Sequence, residues 1–262
     1  MEQTVQKALN LLEALVRSNQ PRRLTELSRQ LGLTKPNVYR LLSTLTILGY
    51  VKKDPNTSLY SPTLKLWEMG SMLVRDIDLQ AAAGPRLRRL CEDSRESVQL
   101  AVFDAGYVVY VDKVDSSQPL KAITSIGSRV PATVVSTGKA MLAWLARESL
   151  DAAVEQVKRY TPLTMTSRED IELDLEETRA RGYAVNRGEF RLGVCGIAAP
   201  VRDRSGGVVA AIGVWGAEKG ILGTRREELA HMTVAAARDI SREMGFVEVT
   251  TSRQRVLAAE PA

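Results

Sequence analysis

The stretch Ser136-Thr137-Gly138-Lys139 is the most suggestive chemistry in the sequence. A phosphate-cradling loop needs a glycine five positions before Gly138 and a hydroxyl residue after the lysine. Thr133 and Ala140 stand there instead, so that motif fails. What remains is two hydroxyl side chains, Ser136 and Thr137, at the start of a helix. There they either serve as a plain N-cap or, with the free N–H groups, hold an anion such as a carboxylate. Other catalytic equipment is scarce. His231 is the single histidine and lies within the last helix, and no HExxH, CxxC or GxSxG occurs. Cys91 and Cys195 are too far apart for a metal-ligand spacing and give no disulfide framework. Cys91 reads as a small core hydrophobe. No catalytic residue, metal or cofactor is expected.

A second set of chemistry-bearing residues lies in the segment LTELSRQLGLTKPNVYRLLSTL. Leu24, Leu27 and Leu31 predict a short helix ending at Gly32. Thr34 as N-cap, Pro36 in the first turn and a buried stripe of Val38, Leu41, Leu42 and Leu45 predict the next. Helix, tight turn, helix is the sequence form of a helix-turn-helix, whose second helix enters the major groove of DNA. With that stripe inward, Pro36, Arg40 and Ser43 point directly out. Asn37 and Tyr39 flank them, and Thr34 and Lys35 lie at the exposed start. Arg40 can pair with guanine and Asn37 with adenine, or either can grip phosphate. Tyr50-Val51-Lys52 and Ser58-Leu59-Tyr60 then flank the turn Asp54-Pro55-Asn56-Thr57, forming a wing that carries Lys52 and Lys53 to the DNA. Arg22 and Thr25 complete the expected DNA-contacting set.

These groups need elements to position them. Val5, Ala8, Leu9, Leu12 and Val16 recur at helical spacing, so Thr4–Arg17 is expected to be an amphipathic helix, stopped by Ser18-Asn19-Gln20-Pro21. From Thr63 a stripe of Leu66, Trp67, Gly70, Leu73, Val74 and Ile77 predicts a linker helix, usable as a dimer seam or packed on its own second domain. Ala81 to Pro85 should break it, and Pro85–Ser94 should form another helix. Strands are expected at Val98–Phe103 and Val108–Val111 around Asp104-Ala105-Gly106, and at Leu120–Ile126. A helix follows from about Thr137, with others over Asp151–Arg159, Ser167–Arg181 (a Ser-x-x-Asp cap) and Thr224–Met244. Strands near Tyr183–Val185, Val194–Val201 and Val208–Trp215 complete a mixed antiparallel α/β domain with a small cavity between sheet and loop.

Composition agrees with two domains. The 262 residues are 44% apolar and 26% charged, an ordinary globular balance. No apolar run approaches the roughly 18 residues of a membrane span. MEQTVQKALNLLEALV lacks both a basic leader and a cleavage site, so a cytoplasmic protein is expected. The net charge of +5 is uneven: residues 1–75 hold eleven Lys and Arg against five Asp and Glu. The remainder is therefore close to neutral. A cationic head on a neutral body fits a polyanion-binding module, although a three-helix interaction module with a solvated basic face would also be basic.

Three segments in order resemble the IclR family of bacterial transcriptional regulators. They are RLTELSRQLGLTKPNVYRLLSTL with its YVKK wing, GSRVPATVVSTGKAMLAWL, and RLGVCGIAAPVRDRSGGVVAAIGVWG. The resemblance covers residues 1–248. It implies an α+β protein with a winged helix-turn-helix over 1–62, a linker helix over 63–83, a GAF-like effector-binding domain over 84–248, and a frayed tail over 249–262. It further implies dimers, commonly paired into tetramers, and a small organic acid as effector. Carried over by position, the effector contacts are Ser136, Thr137, Cys195 and Gly196 as donors, Asn186 where aspartate is frequent, and Ala122, Val130 and Val194 as apolar walls. Gly213 and Trp215 occupy positions where some glyoxylate-sensing relatives carry serines. An indole there favours an aromatic acid by stacking, or merely fills a smaller pocket.

The expectation is a DNA-binding transcriptional regulator, repressor or activator according to its operator. It would grip a short inverted repeat of double-stranded DNA as a homodimer or dimer of dimers, respond to a carboxylate metabolite, and have no membrane partner. The alternative is a small-molecule-processing enzyme using Cys195, which leaves the basic head unexplained. A pure dimerisation scaffold leaves the outward arginine unexplained.

Overall fold

The computed structural model of the chain describes residues 3–18, 20–75, 79–117 and 125–247, without the side chains of 71–75. It divides into two compact units, 1–77 and 78–262. Among the described residues no helix is long and apolar enough to cross a membrane.

The first unit contains α1 (Gln3–Arg17), α2 (Leu24–Leu31), α3 (Lys35–Ile47), the hairpin β1 (Val51–Lys53) and β2 (Tyr60–Pro62), and α4 (Lys65–Arg75). Its core is small: Leu11 and Leu15 of α1 meet Leu27, Val38, Leu42, Val51 and Tyr60. The apolar periodicity of α1 therefore marks a face other than the buried one. Val5 and Leu9 are each 56% exposed and Val16 is 47% exposed. A helix apolar on two sides can give only one of them to so small a core. On α4, Leu66 is half-buried and Trp67 is exposed, while Leu73, Val74 and Ile77 lie outside the described side chains. The hairpin also differs from expectation. Asp54 Oδ1 accepts the N–H groups of Asn56 and Thr57, and Ser58 adopts a φ of 57°. Pairing resumes only at Tyr60, opposite Lys53.

The second unit opens with α5 (Leu79–Ser94), which runs unbroken through Pro85. The carbonyl left without a donor by Pro85 is that of Ala81, which faces solvent, and burial of Leu79, Ala83, Leu87 and Leu90 holds the helix on the sheet. Residues 79–83 are thus the first turns of this helix. The strands are β3 (Ser97–Asp104), β4 (Tyr107–Val114), β5 (Arg129–Pro131), β6 (Ala184–Asn186), β7 (Val194–Arg202) and β8 (Val208–Ala217). They form one antiparallel sheet in the order β5-β4-β3-β8-β7-β6. The helices are α6 (Ser136–Leu142), α7 (Arg147–Val154), α8 (Arg168–Arg181), α9 (Glu218–Ile221) and α10 (Arg226–Glu243). One sheet face, bearing Ala101, Ala184, Ala198 and Ala211, packs on α6; α5 and α10 take the other. α7 begins four residues earlier than expected and ends at Val154. Ser167 caps α8 by accepting the N–H of Asp170. Residues 120–124 of the expected third strand, and the tail over 249–262, lie outside the described residues; Ile126 sits in a turn before β5.

Candidate functional site

In the first unit the turn between α2 and α3 is fixed by local bonds. Gly32 closes α2 with φ 63°, a left-handed value that glycine adopts without strain. Ser28 accepts the Leu33 N–H through its carbonyl and donates its hydroxyl to Leu33 O at 2.6 Å. α3 then buries Val38, Leu42 and Leu45, with Leu41 half-buried. Its outer face carries Pro36, Tyr39 and Arg40, all exposed, with Asn37 and Ser43 half-exposed. Thr34 and Lys35 are exposed at its start, and the Thr34 hydroxyl makes no capping bond. Arg40 Nη2 donates to Asn37 Oδ1 at 2.7 Å. The two residues expected to read separate bases are thus one unit in the free protein. Thr25 is exposed on the first turn of α2. Arg22 is already engaged by Glu26 and Gln30, and its backbone pairs with Tyr60, tying the head of α2 to the hairpin. Lys52 and Lys53 are exposed on the hairpin, Lys53 Nζ lying 5.8 Å from the Tyr60 ring centroid. The exposed face therefore offers cationic and hydroxyl donors spaced along a helix and a wing, the equipment for gripping phosphates and base edges.

In the second unit the candidate residues gather beneath α6. This helix is buried on every side. Gly138 allows it to lie there, since a Cβ would fall 2.0 Å from Ala132 O. Gly196 of β7 performs the same service for Ser136: a Cβ on Gly196 would meet Ser136 Oγ at 2.8 Å. Gly196 pairs with Trp215 on one side and Asn186 on the other, so these residues share the α6 face with Val194. Val130 is buried in the same layer. Among the described residues, Thr133 Oγ1, Thr137 Oγ1 and Trp215 Nε1 are buried and make no hydrogen bond. Beside Thr137, burial pushes the Tyr110 phenol up to about 12. Unspent buried donors are costly, about 1–3 kcal/mol each, and mark a place where polar ligand atoms would be gained cheaply.

Three residues behave differently from their expected roles. Strand alternation turns the Cys195 side chain to the face opposite Ser136, and burial raises its thiol to about 11. It therefore offers no side-chain donor on the Ser136 side of the sheet. Asn186 uses its amide on the fold, donating to Val134 O at 2.6 Å and accepting from Gly188 N–H at 3.2 Å. Gly213 leaves no gap for a ligand, because a Cβ there would lie 2.8 Å from Ala198 Cβ. Ala122 lies outside the described residues. His231 is exposed on α10. No group of three or more metal-ligating side chains occurs among the described residues.

One residue has a role that the sequence reading missed. Lys139 is 1% exposed and its ammonium is held by Glu189 Oε1 at 2.6 Å, Asp174 Oδ2 at 3.0 Å and Val185 O at 3.1 Å. Arg187 pairs in turn with Asp174 at 3.2 Å, and its N–H donates to Glu189. The lysine is a bolt between α6, α8 and the loop after β6, not a phosphate ligand. A lysine set among Gly138, Ala140, Met141 and Leu142 was the available signal.

Known proteins match both units of the chain. Residues 71–242 match the bacterial transcriptional regulator IclR C-terminal family, and residues 4–55 match the IclR helix-turn-helix domain. The HTH-type transcriptional regulator KdgR of Escherichia coli (strain K12) is 35% identical over 245 residues, 93% of each chain. The crystal structure of Thermotoga maritima IclR superposes with a TM-score of 0.79 at 27% identity, covering 94% of this chain and 100% of that one. An IclR homolog from Microbacterium hydrocarbonoxydans, crystallised in complex with 4-hydroxybenzoate, shares the fold with a TM-score of 0.79 at 22% identity, covering 92% and 98%. The chain is thus a DNA-binding transcriptional regulator and belongs to the IclR family.

Proposed function

We propose that this regulator binds a short inverted repeat as a dimer and changes its occupancy when a small carboxylate, aromatic in character, opens and fills a cavity beneath α6. The observation that carries the reading is where unspent hydrogen-bonding capacity lies. The first unit turns it outward, on α3 and the wing; the second keeps it inside, at Thr137 and Trp215. Thr34, Lys35, Pro36, Asn37, Tyr39, Arg40 and Ser43 would face the major groove, with Thr25, Lys52 and Lys53 on the backbone or minor groove. Arg22 would act mainly by fixing α2 to the wing. In the cavity, Ser136 and Thr137 would donate to the carboxylate, Val130 and Val194 would form walls, and Trp215 would stack on the ring. The 4-hydroxybenzoate complex of the distant Microbacterium homolog supports an aromatic acid. Its work on bacterial DNA would place the protein in the cytoplasm. Two α3 helices about 34 Å apart suit an inverted repeat, and the exposed apolar residues of α1 and α4 would supply the seam.

The test is DNA binding by Arg40→Ala, on an operator selected in vitro from random duplex. The variant should lose about 1–3 kcal/mol on the selected site and little on random duplex, measured by fluorescence anisotropy. Equal affinity of variant and wild type for the selected site would overturn the role of α3.

A further inference from the structure

The sheet edge beyond β6 is only partly covered. β6 pairs with β7 from Gly196 to Ala198; from Ala199 onward β7 has β8 on one side and, among the described residues, no strand on the other. Helix α10 completes this edge, where the Arg202 N–H donates to Ser241 Oγ at 2.9 Å and Pro200 has no N–H to satisfy. Between this edge, the end of α8 and α10 lies a cleft of about 260 Å³ floored by Ala199, Pro200 and Ala237. Trp144 and four arginines, Arg181, Arg202, Arg238 and Arg242, stand around it, and no Asp or Glu lines it.

The arginines are unequally spent. Arg181 lies near Asp174 and Glu177, and Arg242 pairs with Asp239. Arg202 makes no ion pair among the described residues. Its Nη1 donates to Gly206 O at 2.8 Å, and its guanidinium lies 4.5 Å from the centre of the Trp144 ring. Burial lowers its pKa with no neighbouring anion to oppose the shift. A guanidinium has five N–H donors in a planar fork, and carboxylate or phosphate matches that fork best. At about 30 Å³ per water the cleft has room for roughly nine waters, the size of a small metabolite.

We propose that this cleft is a second ligand site, for a small oxyanion on a short apolar or aromatic body, distinct from the cavity beneath α6. Gly196 and Pro200 are about 13 Å apart along β7, so one small ligand does not span both.

Calorimetric titration of the full chain with benzoate and with phenyl phosphate tests this. At least one should show a saturable binding event that Arg202→Gln weakens tenfold or more and that persists within twofold in the Ser136→Ala/Thr137→Val chain, which removes binding of the same probe beneath α6. Arg242→Gln, at an exposed position, serves as the second variant if Arg202→Gln melts early, and should weaken binding about threefold or more. Binding of benzoate alone assigns a carboxylate; binding of phenyl phosphate alone assigns a phosphate. Absence of saturable binding by either probe overturns the site. So does an isotherm that neither arginine variant changes, or binding lost entirely in the Ser136/Thr137 chain, which returns the ligand to the α6 cavity. A change of sedimentation coefficient in Arg202→Gln without any anion binding would make the cleft an interface between copies, and overturns it too.

Discussion

At the scale of single residues, burial decides which charged and nucleophilic groups are chemically available. Lys139 looks reactive in sequence but is locked between two carboxylates. Removing one partner of a buried ion cluster leaves the others uncompensated. Lys139→Met should therefore destabilise the chain by about 3–5 kcal/mol, read as a lower urea midpoint at unchanged m-value. A midpoint within error of wild type would show that the cluster contributes nothing. Cys195 makes the opposite point. Its thiol is raised to about 11 by burial and the nearby Glu218 and Glu189, and burial raises Cys91 as well. In the unfolded chain a thiol ionises near 9, and in the folded chain Cys195 does so only near 11. The neutral thiol thus favours the folded state below pH 9, and that contribution is lost as pH rises toward 11. Both thiols should resist iodoacetamide at pH 8 and alkylate readily in guanidinium, followed by mass spectrometry. Rapid native labelling of Cys195 would reopen the enzyme alternative. Neither Lys139 nor Cys195 could be judged from sequence, because the partners are dozens of positions away or on the far side of a sheet.

At the scale of elements, hydrophobic spacing identified most helices and strands but not which face each one buries. In α3 the two coincide, since one stripe suffices for the core: Val38, Leu42 and Leu45 go in and Arg40 comes out. In α1 they diverge, leaving Val5, Leu9 and Val16 on the surface at spacings suited to a helix seam. If that stripe joins two copies, Val5→Gln/Leu9→Gln/Val16→Gln should shift the protein toward monomer in sedimentation velocity while keeping its helical circular dichroism. An unchanged oligomer would assign the stripe another purpose. Pro85 shows a tertiary override of a local rule, because the residue whose carbonyl it strands, Ala81, is exposed while its neighbours pack on the sheet. In sequence Gly138 belongs to a failed phosphate-loop pattern and Gly196 to the effector contacts implied by the resemblance; only the close approach of α6 to Ala132 and β7 shows why no side chain fits at either.

At the scale of the molecule, a cationic reader and a near-neutral ligand domain make sense together only if each biases the other. Linkage requires the coupling to be reciprocal: the factor by which an acid changes DNA affinity equals the factor by which DNA changes affinity for the acid. With 4-hydroxybenzoate as probe, the two factors should agree within error, and Thr137→Val/Trp215→Leu should abolish both while leaving DNA binding in the absence of acid unchanged. An acid that binds equally well with and without DNA would rule out regulation through this cavity. The sequence by itself determined the division into a basic head and a neutral body, the helix-turn-helix with its wing, the outward Arg40, and the family, because charge, periodicity and turn residues act over a few neighbouring positions. Only the tertiary structure decided that Arg40 and Asn37 act as a pair, that Cys195 turns away from Ser136, that Asn186 and Lys139 brace the fold, and that arginines surround the cleft between the edge of β7 and α10. Those outcomes depend on strand parity, helix docking and desolvation, which arise between segments distant in the chain.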